Sequence, residues 1–334
     1  MMARIFAYIV HKGGVVDDSA FELAAAARKI DPAASPTAIL TGWGADLDAA
    51  CNTLDASYAE TWKIANQALA YPNAELVRKA LLKVLPSSSI VLVSHEHFGI
   101  DLAPGLSIKM DSAFVSDVLD IAGVEGADLK VVRQEFGGQV SAHVLCDISS
   151  GAVVTIRPGA FKAVEITPGS SLVVNQSVVD KSNEVGALAA GRRYLETVVA
   201  EAGDVDITKY NVLVSIGRGI QEKENVAIAQ ELADAMGAAV SCSRPVVDAK
   251  WMEKSRQVGS SGKTVKPKVY LACGISGSFQ HLAGIKGSPF LIAINKNPKA
   301  PIFQVADVGI VDDILEFLPE LTSKVREMRS VAAK

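Results

Sequence analysis

Residues 269–313, VYLACGISGSFQHLAGIKGSPFLIAINKNPKAPIFQVADVGIVDD, gather the residue types best able to do chemistry. An apolar, strand-like run from Val269 to Cys273 breaks at Gly274 and reaches Ser276, Gly277, Gln280 and His281, where a helix is expected to begin. Glycines at a strand-to-helix turn let backbone N–H groups approach a phosphate, and a helix N-terminus favours its negative charge. Gly274, Ser276 and Gly277 therefore fit a dinucleotide pyrophosphate, although one glycine-rich turn serves equally as a tight connection. Charge points the same way. Segment 250–299 carries nine Lys or Arg against the single acid Glu253, in a chain whose net charge is −4. A basic field inside an acidic protein suggests an anionic ligand at that place; a solvated lysine face is the plainer alternative. The basic excess is local and aromatic residues are only 6% of the chain, which argues against long nucleic acid as a partner.

Other constellations are weaker. The cysteines Cys51, Cys146, Cys242 and Cys273 are scattered without a CxxC pair, so neither a metal cluster nor a disulfide framework is supported. Cys242 and Cys273 sit in apolar runs and read as buried, inert thiols. His95 and His97 in SHEHFG could suggest a metal, but alternation at a strand end explains them as well. His11 and His143 have no motif around them.

The elements that would position these residues follow from periodicity. At 334 residues, 49% hydrophobic and 21% charged, the chain is long enough for two ordinary domains with sizeable cores. The start MMARIFAYIV has too short an apolar run for a signal peptide, and no run approaches the roughly 20 residues that span a bilayer. A soluble protein of a cytoplasm or an organelle matrix is the expectation. The first half alternates strands (5–10, 37–40, 89–94) with helices (19–30, 45–54, 73–85), which indicates a mostly parallel sheet covered on both faces. Ser19, with Glu22 three residues on, reads as a helix cap. Residues 128–147 form two β-rich runs around Gly137 and Gly138, a hairpin signal. Residues 152–161 supply a further strand ending at Pro158, so an antiparallel edge is expected on this first domain, with 162–207 as the connection and 173–179 as a stray strand. A second α/β unit begins at 211, with strands near 212, 239, 269, 290 and 302, a helix over 224–236 capped by Gly237, and a last helix from Asp312 to Met328. The domains are thus 1–207, an N-terminal α/β domain, and 208–334. In open parallel sheets, ligands bind at the carboxyl ends of strands. Arg218, Ser243, Arg244, Ser276 and Asn295 all lie just past such ends.

Several ordered runs then resemble a known family. SRPVVD (243–248), QVGSSGKTVKP (257–267), GISGSFQHLAG (274–284) and AINKNPKAPIFQVADVGIV (293–311) closely resemble the alpha subunit of electron transfer flavoproteins, and GRG (217–219) and RPGAF (157–161) are similar to that family too. The match is strong over 211–325 and weaker, in length and layout, over the first domain. The resemblance implies an α/β protein of two domains, each a mostly parallel sheet with flanking helices, the C-terminal one a Rossmann-like FAD-binding domain. It implies pairing with an electron transfer flavoprotein beta subunit. Electrons would pass from a dehydrogenase, such as an acyl-CoA dehydrogenase, to a quinone oxidoreductase or another acceptor. The first domain would be an assembly and docking surface. Pro245 after Arg244 resembles members tied to anaerobic or flavin-bifurcating systems.

By the same resemblance Ser276, Gly277, Ser278, Phe279, Gln280 and His281 would wrap the pyrophosphate and ribityl chain. Val258, Gly259, Ser260 and Ser261 would approach the isoalloxazine, with the Ser261 hydroxyl at N5 and His281 at the O2 edge. Arg218, Ser243 and Arg244 would border the flavin, and Asn295 and Asp313 would serve the adenosine end. Many family members carry Gln-Thr where this chain has Ser260-Ser261, so a hydroxyl is kept and an amide lost. Plainer roles stay open: Arg244 as a loop salt-bridge partner, Ser261 as a turn residue, His281 as a helix-start histidine satisfied by a carbonyl, and Asp312 and Asp313 as acids complementing a helix dipole. Lys263 and Lys268 could simply be solvated. A stand-alone NAD- or FAD-dependent oxidoreductase is the rival reading and would need an acid–base residue in the cleft. A nucleotide-binding assembly module without a redox role is the third.

Overall fold

A computed structural model describes residues 4–33, 35–54, 57–136, 139–162, 177–196, 205–287 and 289–332. The chain divides into two compact units, Met1–Glu196 and Thr197–Lys334. Among the described residues no helix is long and apolar enough to cross a membrane.

In the first unit the elements run β1 (Ile5–Tyr8), β2 (His11–Lys12), β3 (Val15–Val16), α1 (Ser19–Ile30), β4 (Thr37–Gly42), α2 (Ala45–Asn52), β5 (Glu60–Ala65), α3 (Ala74–Val84), β6 (Ile90–Ser94), α4 (His97–Met110), β7 (Ala113–Glu125), β8 (Asp128–Glu135), β9 (Val140–Asp147), β10 (Ala152–Ile156), β11 (Ser177–Asp180) and α5 (Ser182–Val185). Nine strands form one sheet in the order β11-β5-β4-β1-β6-β10-β7-β8-β9. Pairing is parallel from β11 to β7 and antiparallel through β8 and β9. Strand β1 shows why both faces are covered: Ile5 and Ala7 enter one core with α1, while Phe6 and Tyr8 enter the other with α3 and α4. A strand buried on both faces must be apolar throughout, which is the pattern of IFAY and IVLVS.

Three expectations are corrected here. The 152–161 strand is not an antiparallel edge: β10 lies inside the sheet, parallel to β6 and β7, and all five of its residues are buried. Only β7, β8 and β9 make the antiparallel end; Gly137 and Gly138 lie outside the described residues, as do 173–176 of the stray strand. Ser19 does not cap α1. Asp18 precedes the helix without a side-chain cap, and the Ser19 N–H donates to Asp17 Oδ1 at 2.8 Å. Glu22 instead turns to the distant Gly159 N–H, which donates to its Oε2 at 2.5 Å. His95 and His97 are likewise not an alternating strand end, because His97 opens α4.

The second unit contains β12 (Val212–Ile216), α6 (Val226–Met236), β13 (Ala239–Cys242), α7 (Arg244–Asp248), β14 (Val269–Cys273), α8 (Phe279–Leu282), β15 (Phe290–Ile294), β16 (Val308–Ile310) and α9 (Ile314–Ala332). Its five strands are all parallel, in the order β13-β12-β14-β15-β16. Gly237 ends α6 at φ 65°, the left-handed position that favours glycine. The strand expected at 302–306 is absent: Pro301–Gln304 form a 3-10 turn, and the fifth strand comes later as β16. Proline fixes φ and removes a donor, which suits the start of a helical turn and not a ladder.

A polar cluster holds the end of β10. The Arg157 guanidinium donates to both Asp117 oxygens, at 2.8 and 2.5 Å, and to Gln134 Oε1 at 2.8 Å. Asp117 sits at φ 61° beside an irregular register, and its N–H donates to Thr155 Oγ1 at 2.9 Å. Burial pushes the Asp117 carboxyl up, but the Arg157 hydrogen bonds and charge outweigh it and hold the pKa below the ordinary value. Arg157→Met is expected to cost about 1.5–3 kcal/mol in denaturant titration at neutral pH. A depressed folded-state pKa gives stability that is full above the unfolded value and lost as pH falls through the folded one. The gap between variant and parent should therefore narrow on acidification below about pH 4.

Candidate functional site

In the second unit β12 leads to β13 on one side and β14 on the other, so the carboxyl ends of β12 and β14 flank the point where strand order reverses. Two glycine segments meet there. A Cβ on Gly219 would come 2.7 Å from Gly274 Cα, and Gly274 itself adopts φ 64°. Gly217 N–H donates to Cys273 O at 2.9 Å and Gly219 N–H to Gly274 O at 3.1 Å. Side chains at these positions would force the strand ends apart.

A cleft of about 440 Å³ opens above them. Its walls come from four segments: Arg218 after β12, Ser243 and Arg244 after β13, Val258 to Ser261 on a loop, and Ser276, Ser278, Gln280 and His281 after β14. The loop is fastened on both sides. Val258 N–H donates to Cys242 O at 2.9 Å, and Ser260 N–H to Gln280 O at 2.7 Å. Gly259 lies at φ 140°, and a Cβ on Gly284 would stand 2.6 Å from Gly259 Cα, so these two backbones touch.

Eleven of the fifteen residues singled out from the sequence line this cleft. Gly277, Phe279, Asn295 and Asp313 do not. Gly277, at φ 85°, packs against Ile302, where a Cβ would overlap the backbone. Phe279 begins α8 and is exposed. Asn295 donates to Ile275 O at 2.9 Å and accepts from Asn297 N–H at 2.9 Å. Asp313 pairs with Lys296 at 2.6 Å and accepts from Leu315 N–H at 3.0 Å at the start of α9. That bond to Lys296, ahead of the Leu315 one, holds its carboxyl below the ordinary range.

The helix after Gly274 is a single turn, Phe279–Leu282, too short for an appreciable macrodipole. The donors survive: the N–H groups of Ser276, Gly277, Ser278 and Gln280 give no hydrogen bond to an acceptor among the described residues. None of the nine basic residues of 250–299 lines the cleft. Lys263 pairs with Asp206 at 3.2 Å and Lys296 with Asp313, so that segment contributes field and not contact. The cations in the wall are the exposed Arg218 and Arg244, and Arg244 Nε stands 3.4 Å from Asp248. Gly274, read from the sequence as part of the pyrophosphate turn, also lines the cleft, as do Asp248, Pro245, Gln257 and Ile275, to which no site role was assigned. Asp248 had a usable signal, four residues from Arg244 on one helix face. Gln257 had none.

His281 is buried, at 5% exposure. Its Nε2 meets Tyr270 Oη at 2.9 Å, and Tyr270 donates to Ser215 Oγ at 2.7 Å. Nδ1 has no partner of hydrogen-bond geometry among the described residues, and the Val258 backbone beside the ring favours its protonated form. Burial dominates and lowers the pKa to about 4, so the ring is uncharged at neutral pH. The sequence alternative of a ring satisfied by a carbonyl is replaced by one held by a phenol, with its second nitrogen left over. All four cysteines are buried, and burial raises Cys273 to about 12, an inert thiol. His95 Nδ1 lies 2.8 Å from Thr155 Oγ1.

A row of free main-chain donors, an unpartnered buried imidazole nitrogen, serine hydroxyls and two arginines around a cleft at a strand-order reversal define a site for a large anionic, nucleotide-type cofactor. Comparison with known proteins gives the class its name. Residues 206–286 match the Electron transfer flavoprotein FAD-binding domain, and residues 5–182 match the Electron transfer flavoprotein domain. The chain is 38% identical over 242 residues to Protein FixB of Clostridium saccharobutylicum, covering 72% of this chain and 71% of that protein. It is 42% identical over 238 residues to the electron transfer flavoprotein subunit alpha of Methylophilus methylotrophus, with 71% and 72% covered. It is 31% identical over 327 residues to the mitochondrial alpha subunit of Arabidopsis thaliana, with 96% and 88% covered. This chain belongs to the electron transfer flavoprotein family as an alpha subunit, and FAD is its cofactor. The donor set described above fits that group.

Two measurements check this geometry. The His281 imidazole should titrate near 4 by NMR in the FAD-free protein. Because the unfolded chain binds that proton at about pH 6.5 and the folded one does not, stability should fall by about 3 kcal/mol on acidification from pH 6.5 to 4. Gly284→Ala should lower thermal stability and FAD affinity together, since the new Cβ meets the Gly259 backbone.

Proposed function

We propose that this chain pairs with an electron transfer flavoprotein beta subunit, holds FAD in the cleft of its second unit, and carries electrons between partners. The donor would be a dehydrogenase, such as an acyl-CoA dehydrogenase, and the recipient a quinone oxidoreductase or another acceptor. The observation that carries the reading is the set of N–H groups on Ser276, Gly277, Ser278 and Gln280 that give no hydrogen bond to an acceptor among the described residues, inside a FAD-binding family domain. Bound FAD supplies the electron-accepting and electron-donating chemistry, one or two electrons at a time.

The chain's own residues bind and tune. The main chain of Ser276, Gly277, Ser278, Phe279 and Gln280 would hold the pyrophosphate and ribityl chain. Arg218 and Arg244, always cationic, would favour negative charge at the cofactor, with Ser243 beside them. Val258, Gly259, Ser260 and Ser261 would meet the isoalloxazine, Ser261 at N5, and His281 would lie at the O2 edge. Asn295 and Asp313, outside the cleft wall, would act at the adenosine end. The first domain, proposed over 1–207, would serve as the partner-contacting part, with 208–334 as the FAD-binding domain. A cytoplasm, or an organelle matrix in a eukaryote, suits this work.

The cleft's titratable groups favour a carrier over an oxidoreductase acting on its own substrate. A general base needs a pKa near the working pH and access to the substrate. His281 has its pKa pulled to about 4 by burial, and Asp248 faces Arg244.

Co-expression with a beta subunit and a visible spectrum test the proposal. A yellow heterodimer is expected. One FAD per pair indicates a simple carrier, and a second in the pair indicates the flavin-bifurcating type. A stable, colourless heterodimer that takes up no added FAD overturns the redox reading. Arg244→Ala should lower the flavin's midpoint potential in a dithionite titration with reference dyes; an unchanged potential removes Arg244 from the flavin's surroundings.

A further inference from the structure

Gln257 stands in the cleft wall with an unusual pairing. It is 4% exposed, whereas Ser261, four residues on, is exposed. Gln257 Nε2 donates to Ser261 Oγ at 2.9 Å. The backbone around this pair is closed on itself: Gln257 N–H donates to Lys254 O at 3.1 Å, Lys263 N–H to Gln257 O at 2.7 Å, and Gly262 N–H to Gly259 O at 2.9 Å. A Cβ on Gly262 would come 3.0 Å from Gln257 Cγ, so the loop packs directly on the amide side chain. A buried side chain inside such a loop has little room to turn.

A hydroxyl has one proton and two lone pairs. On an isolated surface serine the proton rotates freely, and the group donates or accepts as its neighbour demands. Here one lone pair already receives the Gln257 amide proton. No hydrogen bond from the Ser261 hydroxyl to another described residue is found, and Ser261 lines the cleft. The proton is therefore left for whatever occupies the cleft.

We infer that Gln257 is a positioning residue that biases the Ser261 hydroxyl to donate toward the flavin and so shifts the balance between the protonation forms of the one-electron-reduced cofactor. The inference rests on the proposal that Ser261 faces N5. Oxidised flavin has a lone pair at N5 and accepts a hydrogen bond there. Adding one electron and no proton gives a red anion that still accepts at N5. Adding one electron and one proton gives a blue neutral form whose N5–H is a donor. A hydroxyl with one lone pair already filled and its proton free is biased to donate, which favours the first product over the second, although its remaining lone pair can still accept.

Gln257→Glu reverses the polarity with little change in shape. An ionised carboxylate only accepts, so it takes the Ser261 proton and leaves oxygen lone pairs for the cleft. Gln257→Leu removes the constraint without reversing it, and serves if the carboxylate variant fails to assemble. The heterodimer with bound FAD is reduced stepwise above neutral pH and its visible spectrum followed, with Ser261→Ala as the control. Gln257→Glu should exchange red for blue. Gln257→Leu should lower the ratio of red to blue by about threefold to tenfold, the worth of one hydrogen bond. In a Ser261→Ala background, neither Gln257 change should have a further effect. The inference is overturned if both Gln257 variants keep the parent's red fraction while Ser261→Ala loses it. If Ser261→Ala also leaves the spectrum unchanged, the assignment of Ser261 to N5 fails and the inference falls with it.

Discussion

Much of the second unit depends on one bare contact, the backbone of Gly259 against that of Gly284. The loop carrying Val258 to Ser261 must lie flat between the end of β13 and the turn of α8, and a side chain at either glycine would hold them apart. Once they touch, Val258 bonds back to Cys242 and Ser260 to Gln280. Residues from three distant stretches then face one space. The arginine after β13, the hydroxyls of the loop and the imidazole after β14 share a cleft because two positions lack a Cβ. The Gly217, Gly219 and Gly274 contacts perform the same service one layer below, drawing the ends of β12 and β14 together.

Polar groups behind the cleft are held with unequal completeness, and the difference is informative. Buried polar atoms need partners, since an unmet one costs about 1–3 kcal/mol. Tyr270, fully buried, meets both Ser215 and His281, and its burial raises the phenol pKa well above the ordinary value. His281 uses one nitrogen on that phenol and leaves the other without a bond. The unmet nitrogen belongs to the residue that borders the cleft, where a ligand can repay the cost. Structure and chemistry agree at this point: the fold leaves open the group a cofactor would close.

Periodicity carried the sequence reading where neighbours in sequence determine the element. Helix α1 runs over Ser19–Ile30 as its apolar pattern requires, and β12, β13, β14 and β15 fall where continuous apolar runs stand between glycines. It failed where distant contacts decide. Glu22 looked like half of a capping box and instead answers Gly159 across the first unit. Strand β10 looked like an edge because a hairpin precedes it, yet its five buried residues need neighbours on both sides. Isoleucine, phenylalanine and valine at 302–305 read as a strand until Pro301 is weighed, which turns the segment into a 3-10 turn. The basic stretch 250–299 pointed to the right domain for an incomplete reason, since its lysines lie outside the cleft wall.

The residue types past each strand end, and their order along the chain, were determined by the sequence alone. That order marked one domain as the site and placed Arg218, Ser243, Arg244 and Ser276 in its wall, because a parallel sheet delivers the residue after every strand to the same edge, while the family resemblance supplied most of the other wall residues. Tertiary structure decided which of them act together. It set Asn295 and Asp313 apart with partners of their own, placed Gln257 behind Ser261, and put Asp248 beside Arg244. Spacing along a chain places a residue at an edge, but a hydrogen bond of 2.9 Å depends on how two backbones pack, and that is fixed only when the whole unit closes.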